Sequence, residues 1–219
     1  MSTTEPAKAA GRLVIVRHGE TSANLDGVWH GSTDTALTQN GHAQAQRVAE
    51  FLKSDCSDAG AIYASPLQRA RHTAEPIARS LGLELRIADD LREFDLGTWE
   101  GKTYRELMQE HRLWDEMKQD PHFAPHGGES PLGVAQRLAQ SWQHIAHTHP
   151  ERPTVVVTHG GAISLALAHL LDDDYSNWNR VMNNCAVSEL AFAPALRLLR
   201  FNYTAHLEVD SEAETLSHP

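Results

Sequence analysis

Arg17 and His18 stand directly after residues 13–16 (Leu-Val-Ile-Val), a short apolar run of the kind that forms a strand buried on both faces. Two further places repeat the arrangement. Arg69 lies one turn into a helix that follows residues 61–64 (Ala-Ile-Tyr-Ala), and His159 follows residues 154–158 (Thr-Val-Val-Val-Thr), with Gly160 and Gly161 behind it. In open α/β sheets, ligands sit at the carboxyl ends of the strands, and glycines at a helix start let backbone N–H groups approach an anion. Two arginines and two histidines converging on one sheet edge describe a pocket for phosphate. A neutral imidazole is a competent nucleophile near pH 7, and neighbouring guanidinium groups disfavour its protonation. Cleaving a phosphate ester also requires a proton for the departing alkoxide. Glu93 is the best-placed carboxylate outside the arginine cluster, with Asp95 and Glu100 as competitors.

These residues need a scaffold, and the pattern of the chain supplies one. Ala45, Val48, Ala49 and Leu52 recur at helical spacing within 39–53, after a loop rich in Gly, Ser, Thr and Asp. Ser65-Pro66-Leu67-Gln68 reads as the start of the next helix, with Ser65 as N-cap, Pro66 at the first helical position and Gln68 closing a capping box. Residues 83–87 form an expected third strand, 162–171 an apolar helix, and 186–192 with 196–203 a final antiparallel pair. Strands alternating with helices imply a three-layer α/β/α sandwich around a mostly parallel sheet. The block 101–149 is mostly helical, polar and rich in Trp, Met and His, and reads as a helical cap inserted into a single domain spanning 12–203. The tails, 1–11 and 204–219, are expected to be loosely ordered.

Composition bounds the partners. The chain has 219 residues, 41% of them hydrophobic and 22% charged, as in an ordinary globular protein. Its formal net charge of −10 weighs against nucleic acid, whose backbone demands clustered cations. No apolar run reaches the roughly 18 residues of a membrane-spanning helix. The polar start carries no signal-like segment, and Cys56 and Cys185 lie far apart in no ligand-like spacing, which fits a reducing cytoplasm.

Four strings carry a resemblance: Leu13-Val-Ile-Val-Arg-His-Gly-Glu-Thr21 with Asn24 following, Ser65-Pro-Leu-Gln-Arg-Ala-Arg-His-Thr-Ala74, Leu91-Arg-Glu-Phe-Asp-Leu-Gly-Thr-Trp-Glu-Gly101, and Val157-Thr-His-Gly-Gly161. In this order they resemble the motifs of the histidine phosphatase superfamily, which includes cofactor-dependent phosphoglycerate mutases, and the similarity runs from about residue 12 to 203. The resemblance implies that His18 attacks phosphorus and becomes a phosphohistidine. It implies that Arg17, Arg69 and His159 hold the equatorial phosphoryl oxygens, where transition-state charge concentrates. Glu93 would protonate the leaving oxygen and then deprotonate the hydrolytic water, and Asn24 would help bind the phosphoryl group. His30, before Gly31, occupies a loop position where such proteins commonly carry Gln, Thr or Ser touching phosphate; a histidine there is a departure.

Glu20, Arg71 and His72 sit inside the motifs but read as structural. The pairs His147 with His149 and His122 with His126 have no carboxylate or cysteine at ligand spacing, so they read as solvated surface; no metal and no cofactor is expected. Three activities compete: phosphatase, phosphoglycerate mutase and a non-catalytic binder of phosphorylated ligands. The block 101–149 holds Lys102, Arg105, Arg112 and Lys118 but neither a Pro-Pro run nor an adjacent arginine pair, which disfavours the mutase. Relatives that act on phosphohistidine in proteins nearly lack this block. The expectation is a metal-independent phosphatase of small phosphorylated metabolites, of the sugar-phosphate or phosphoglycerate type. Trp99, Tyr104, Trp114 and Phe123 would line the cap or form its core. A second copy of the chain, in a homodimer, is left open.

Overall fold

A computed structural model describes residues 11–124, 126–177 and 179–208. Strand β1 (Arg12–Arg17) leads through the short α1 (Ser22–Leu25) to α2 (Gln39–Asp55), then β2 (Ala61–Ala64), α3 (Gln68–Leu81) and β3 (Leu85–Ile87). Two short helices, α4 (Tyr104–Gln109) and α5 (Leu113–Gln119), precede α6 (Pro131–Thr148). The chain closes with β4 (Thr154–Thr158), α7 (Gly160–Asp172), β5 (Val187–Ala191) and β6 (Arg197–Tyr203). The six strands form one sheet in the order β3-β2-β4-β1-β5-β6. The pairs β3–β2, β2–β4 and β4–β1 are parallel, and β5 runs antiparallel to both its neighbours.

The apolar runs sit where period-2 alternation sends them. On β1, Val14 and Val16 join Val155 and Val157 of β4 in one core, under α2 and α3. Leu13, Ile15 and Val156 face the opposite core, which α6 and α7 close. All four residues of 13–16 are fully buried, because helices cover both faces of the central strands. The three layers are those the sequence pattern implies.

Three expectations change. Helix α3 begins at Gln68 with Leu67, whose side chain has no acceptor, as its N-cap; the Ser65 hydroxyl lies 2.7 Å from His159 Nε2 and accepts from Leu67 N at 3.3 Å. The block 101–149 divides in two: Val134, Leu138, Trp142 and Ile145 of α6 belong to the main core, so only the stretch before α6 overlies the site. Residues 204–208, expected as tail, are packed. Leu207 lies against the core under α2, and the His206 ring stacks on Phe51 at 4.8 Å. Residues 1–10 and 209–219 lie outside the described residues.

Candidate active site

Sheet register assembles the site. Arg17 pairs with Thr158 and Ala64 with Val157, so the residues that leave the three strands next, His18, Ser65 and His159, lie side by side. The ladder continues one bond beyond each strand, His18 N donating to Thr158 O at 2.9 Å and Ser65 N to Val157 O at 3.0 Å. The rings of His18 and His159 are 5.1 Å apart and those of His18 and His30 5.8 Å apart.

His18 is buried, with Nδ1 2.7 Å from the Gly19 carbonyl. A carbonyl only accepts, so Nδ1 carries the proton and Nε2 keeps its lone pair. Burial, then the charges of Arg69 and Arg17, hold the imidazole well below its ordinary pKa, and hence neutral. His159 is also held neutral by burial and Arg69. Its Nδ1 accepts from Arg69 Nε at 3.2 Å, which leaves Nε2 to donate to Ser65 Oγ.

Arg69 is fully buried, and its Nη groups donate to the carbonyls of Thr33, His30 and Gly31, each at 2.8 Å. The sequence suggested a direct grip on phosphoryl oxygens. Most of this guanidinium instead pins the 30–33 loop to the sheet, bringing a fixed charge beside His18, and burial lowers its pKa to about 10. Arg17 differs. One Nη donates to Met182 O, while its buried Nε has no hydrogen-bond partner among the described residues. That orphaned donor on the cavity wall suits an incoming oxyanion.

Glu93 occupies the N-terminus of α7. Its Oε1 accepts from Ala162 N at 2.6 Å and Phe94 N at 2.8 Å, and its Oε2 from Gly161 N at 2.9 Å. The helix-start donors that the Gly160-Gly161 pair suggested for a ligand thus serve the protein's own carboxylate. Oε2, with a single partner, has the free lone pair. A Cβ at Gly161 would come within 2.8 Å of Glu93 Oε1 and of the Trp29 ring, so this approach requires glycine. The segment bearing Glu93 is tied down from two sides. Thr158 Oγ1 donates to Leu91 O at 2.7 Å, and Arg137 of α6 donates to the carbonyls of Asp90 and Arg92 while pairing with Glu129 at 2.7 Å.

The competing carboxylates are turned to structural work. Asp95 accepts from Gly97 N at 2.8 Å, and Glu100 from Ser32 N, Thr33 N and Leu96 N. Glu20 accepts from Thr38 and Asn40, away from the cavity.

A cavity of about 270 Å³ opens over His18, with Arg17, Asn24, His30, Gly31, Glu93 and Gly160 around its floor. Asn24 Nδ2 lies 3.3 Å from His30 Nε2 and His30 Nδ1 3.2 Å from Thr35 Oγ1. Burial, then Arg69 and Arg17, push the His30 pKa down to about 3. Trp29, Tyr104, Trp114 and Val181 form the upper walls. Of the four cap aromatics, Tyr104 and Trp114 reach the cavity, whereas Trp99 and Phe123 pack against the core.

Sequence reasoning missed Trp29, Val181, Arg137 and Asn184. Asn184 Nδ2 bonds both His18 O (3.0 Å) and Asn24 Oδ1 (3.1 Å), orienting the asparagine that faces the cavity. None has a local signal, because each matters through a contact far away in sequence. His126, expected at the surface, is buried between Phe94 and Trp99, with its Nδ1 accepting from Gly128 N. Among the described residues, no three His, Cys, Asp or Glu side chains gather as a metal site.

The model of the histidine phosphatase superfamily (branch 1) matches residues 13–204. The chain belongs to this family. Within the histidine phosphatases it stands beside members named as phosphatases. It is 35% identical over 196 residues to glucosyl-3-phosphoglycerate phosphatase of Mycobacterium tuberculosis, covering 83% of this chain and 86% of the relative. Phosphoserine phosphatase 1 of Hydrogenobacter thermophilus is 32% identical over 203 residues, covering 90% and 94%. Among solved structures, mycobacterial glucosyl-3-phosphoglycerate phosphatase in complex with VO3 superposes with a TM-score of 0.77 at 34% identity, covering 88% of this chain and 99% of that one. No described helix is long and apolar enough to cross a membrane.

Proposed function

We propose that this histidine phosphatase hydrolyses small phosphomonoesters, of the sugar-phosphate or phosphoglycerate type, through a phosphohistidine on His18 in the cytoplasm. The observation that carries the reading is the state of His18: Nδ1 committed to Gly19 O, the ring buried and neutral, and Nε2 left to a cavity that Arg17 and Glu93 also line. The Nε2 lone pair attacks phosphorus, and the bond from phosphorus to the ester oxygen breaks. A proton held on Glu93 Oε2 passes to that oxygen, so the alcohol departs neutral. Water then gives a proton to the Glu93 carboxylate as its oxygen attacks phosphorus. The phosphorus–nitrogen bond breaks, inorganic phosphate leaves, and His18 returns to the neutral tautomer that Gly19 O enforces. Arg17 supplies donors and Arg69 fixed charge for the phosphoryl group, with His159 aligning Arg69 and Asn24 and His30 bounding the floor.

The test is a screen of phosphorylated metabolites with the purified chain, reading released phosphate before and after exhaustive chelation, with His18→Ala alongside. Turnover that survives chelation and an acid-labile phosphoenzyme are expected. In His18→Ala both should vanish, a loss on the order of 10⁴ or more as when a nucleophile is removed elsewhere, with an unchanged circular dichroism spectrum. Substantial turnover by a folded His18→Ala protein sinks the mechanism.

A further inference from the structure

Beyond Trp114 and Val181, which line both, the inner cavity meets a second one of about 390 Å³. Lys118 of α5 and Ser176, Asn177 and Asn179, from the segment after α7, form the rest of its wall. The two chambers differ in chemistry. The inner one pairs a phosphoryl-binding floor with an aromatic wall: Trp29 and Tyr104 have ring centroids 5.7 Å apart, and Tyr104 and Trp114 6.5 Å. The outer one sets an ammonium, two amides and a hydroxyl around the far side of that wall.

The outer rim is built rather than incidental. Asp172 accepts from Asn177 Nδ2 at 2.7 Å and from Arg180 Nη2 at 3.0 Å, and Asp174 accepts from Ser176 N at 2.8 Å and Ser176 Oγ at 2.6 Å. These bonds satisfy the turn internally. Among the described residues, none of these bonds uses the side chain of Asn179 or the Lys118 ammonium, so both keep donors for a ligand.

Size and charge narrow the occupant. The inner cavity, about 270 Å³, falls just short of the roughly 300–1,000 Å³ usual for small-molecule pockets, and the outer chamber brings the site within that range. Among the described residues, Arg17 is the only permanent cation lining the inner cavity, and the phosphoryl group engages it. A compact ester with a second acid group beside its phosphate therefore finds no second guanidinium or ammonium among the described residues there. Amides beside an indole match a polyol: each amide offers both donor and acceptor to neighbouring hydroxyls, and the aromatic face accommodates C–H groups.

We propose that the outer chamber is a subsite for a carbohydrate unit carried by the alcohol portion, so that phosphomonoesters of glycosides are preferred over those of small acids. This rests on the phosphatase reading above. The test compares kcat/KM on glucosyl-3-phosphoglycerate, 3-phosphoglycerate, octyl phosphate and p-nitrophenyl phosphate for the unmodified chain, Asn179→Ala and Lys118→Met. The glucosylated ester should exceed 3-phosphoglycerate and octyl phosphate by about tenfold or more. Each substitution should lower that one rate by about tenfold through KM, the net worth of one hydrogen bond, leaving the other substrates within about twofold. Equal rates on the two phosphoglycerates, equal preference for octyl phosphate, or losses shared by all four substrates would overturn the subsite. Failure to hydrolyse even p-nitrophenyl phosphate would instead bring down the phosphatase reading, and the subsite with it.

Discussion

The floor and the cover of this site are held together by different forces. On the floor, His18, Arg69, His159 and Glu93 are buried and fixed by hydrogen bonds, from Glu93 to Ala162 N at 2.6 Å to Arg69 Nε to His159 at 3.2 Å. The cover is a series of rings, Phe94, Trp29, Tyr104 and Trp114, edge-on at the first two contacts and tilted at the third, with Val181 largely exposed beyond it. Directional bonds fix atoms for bond making, whereas ring contacts exclude water and accommodate shape. Floor substitutions should therefore strike every substrate, and cover substitutions should discriminate.

The largest departures should come from the floor, where two residues also separate from each other. Glu93→Gln removes the proton donor and should slow phosphoenzyme formation from alkyl phosphates by roughly 10²–10⁴. An aryl phosphate with an acidic phenol needs little protonation and should lose far less. Arg69→Ala withdraws charge from the phosphoryl group itself, so both classes should fall alike, by about 10²–10³. It also strips partners from the buried carbonyls of His30 and Gly31 and from buried His159, at roughly 1–3 kcal/mol each, so a clear drop in melting temperature should accompany it. Rapid-quench measurement of the first step is the readout. Equal slowing of both leaving groups by Glu93→Gln would remove Glu93 as the donor and reopen the case for Asp95 or Glu100.

The same division explains what could be read from the sequence. The floor was legible because its residues follow the strands that place them: the apolar run 13–16 delivers Arg17 and His18, and 154–158 delivers His159. The identity of each side chain was readable, but its working atom was not. Only the fold reveals that Arg69 is occupied by loop carbonyls, or that Glu93 takes the start of α7. Ser65 fits a helix-capping pattern, yet its hydroxyl goes to His159, a bond across 94 positions that no local pattern encodes. The cover was harder still. Its residues come from the 29–31 loop, α4, α5 and the stretch before β5, and their types would suit an ordinary core equally well.

A smaller effect is expected at the cover. Trp114 belongs to the aromatic upper wall of the inner cavity and not to its floor, so Trp114→Ala should leave kcat on p-nitrophenyl phosphate within about threefold. For a bulky ester it should raise KM by about tenfold, in keeping with the loss of roughly 1–2 kcal/mol of aromatic contact. If kcat on the small aryl ester falls as far as it does for Arg69→Ala, the cover is part of the catalytic frame and the contrast with the floor fails.

The smallest effect lies in how the floor responds to pH, and His30 isolates it. In the fold its pKa is about 3, set by burial first and then by Arg69 and Arg17, whereas an unfolded histidine titrates near 6.5. Between those values the unfolded chain binds a proton that the folded chain excludes. Stability must therefore fall as pH drops below about 6.5, by up to roughly 1.4 kcal/mol per pH unit for each such group. His18 and His159 are depressed in the same direction and add to the slope. In His30→Gln the amide can still meet Thr35 and Asn24 but does not titrate. Urea unfolding of both proteins at pH 6 and pH 5 should show the unmodified chain losing about 1 kcal/mol more over that interval; carboxylates common to the two cancel in the difference. Equal losses would mean that His30 carries its proton in the folded state. The floor would then hold a third cation beside Arg17 and Arg69, and His30 would grip the phosphoryl group as an imidazolium instead of bounding it as a neutral ring.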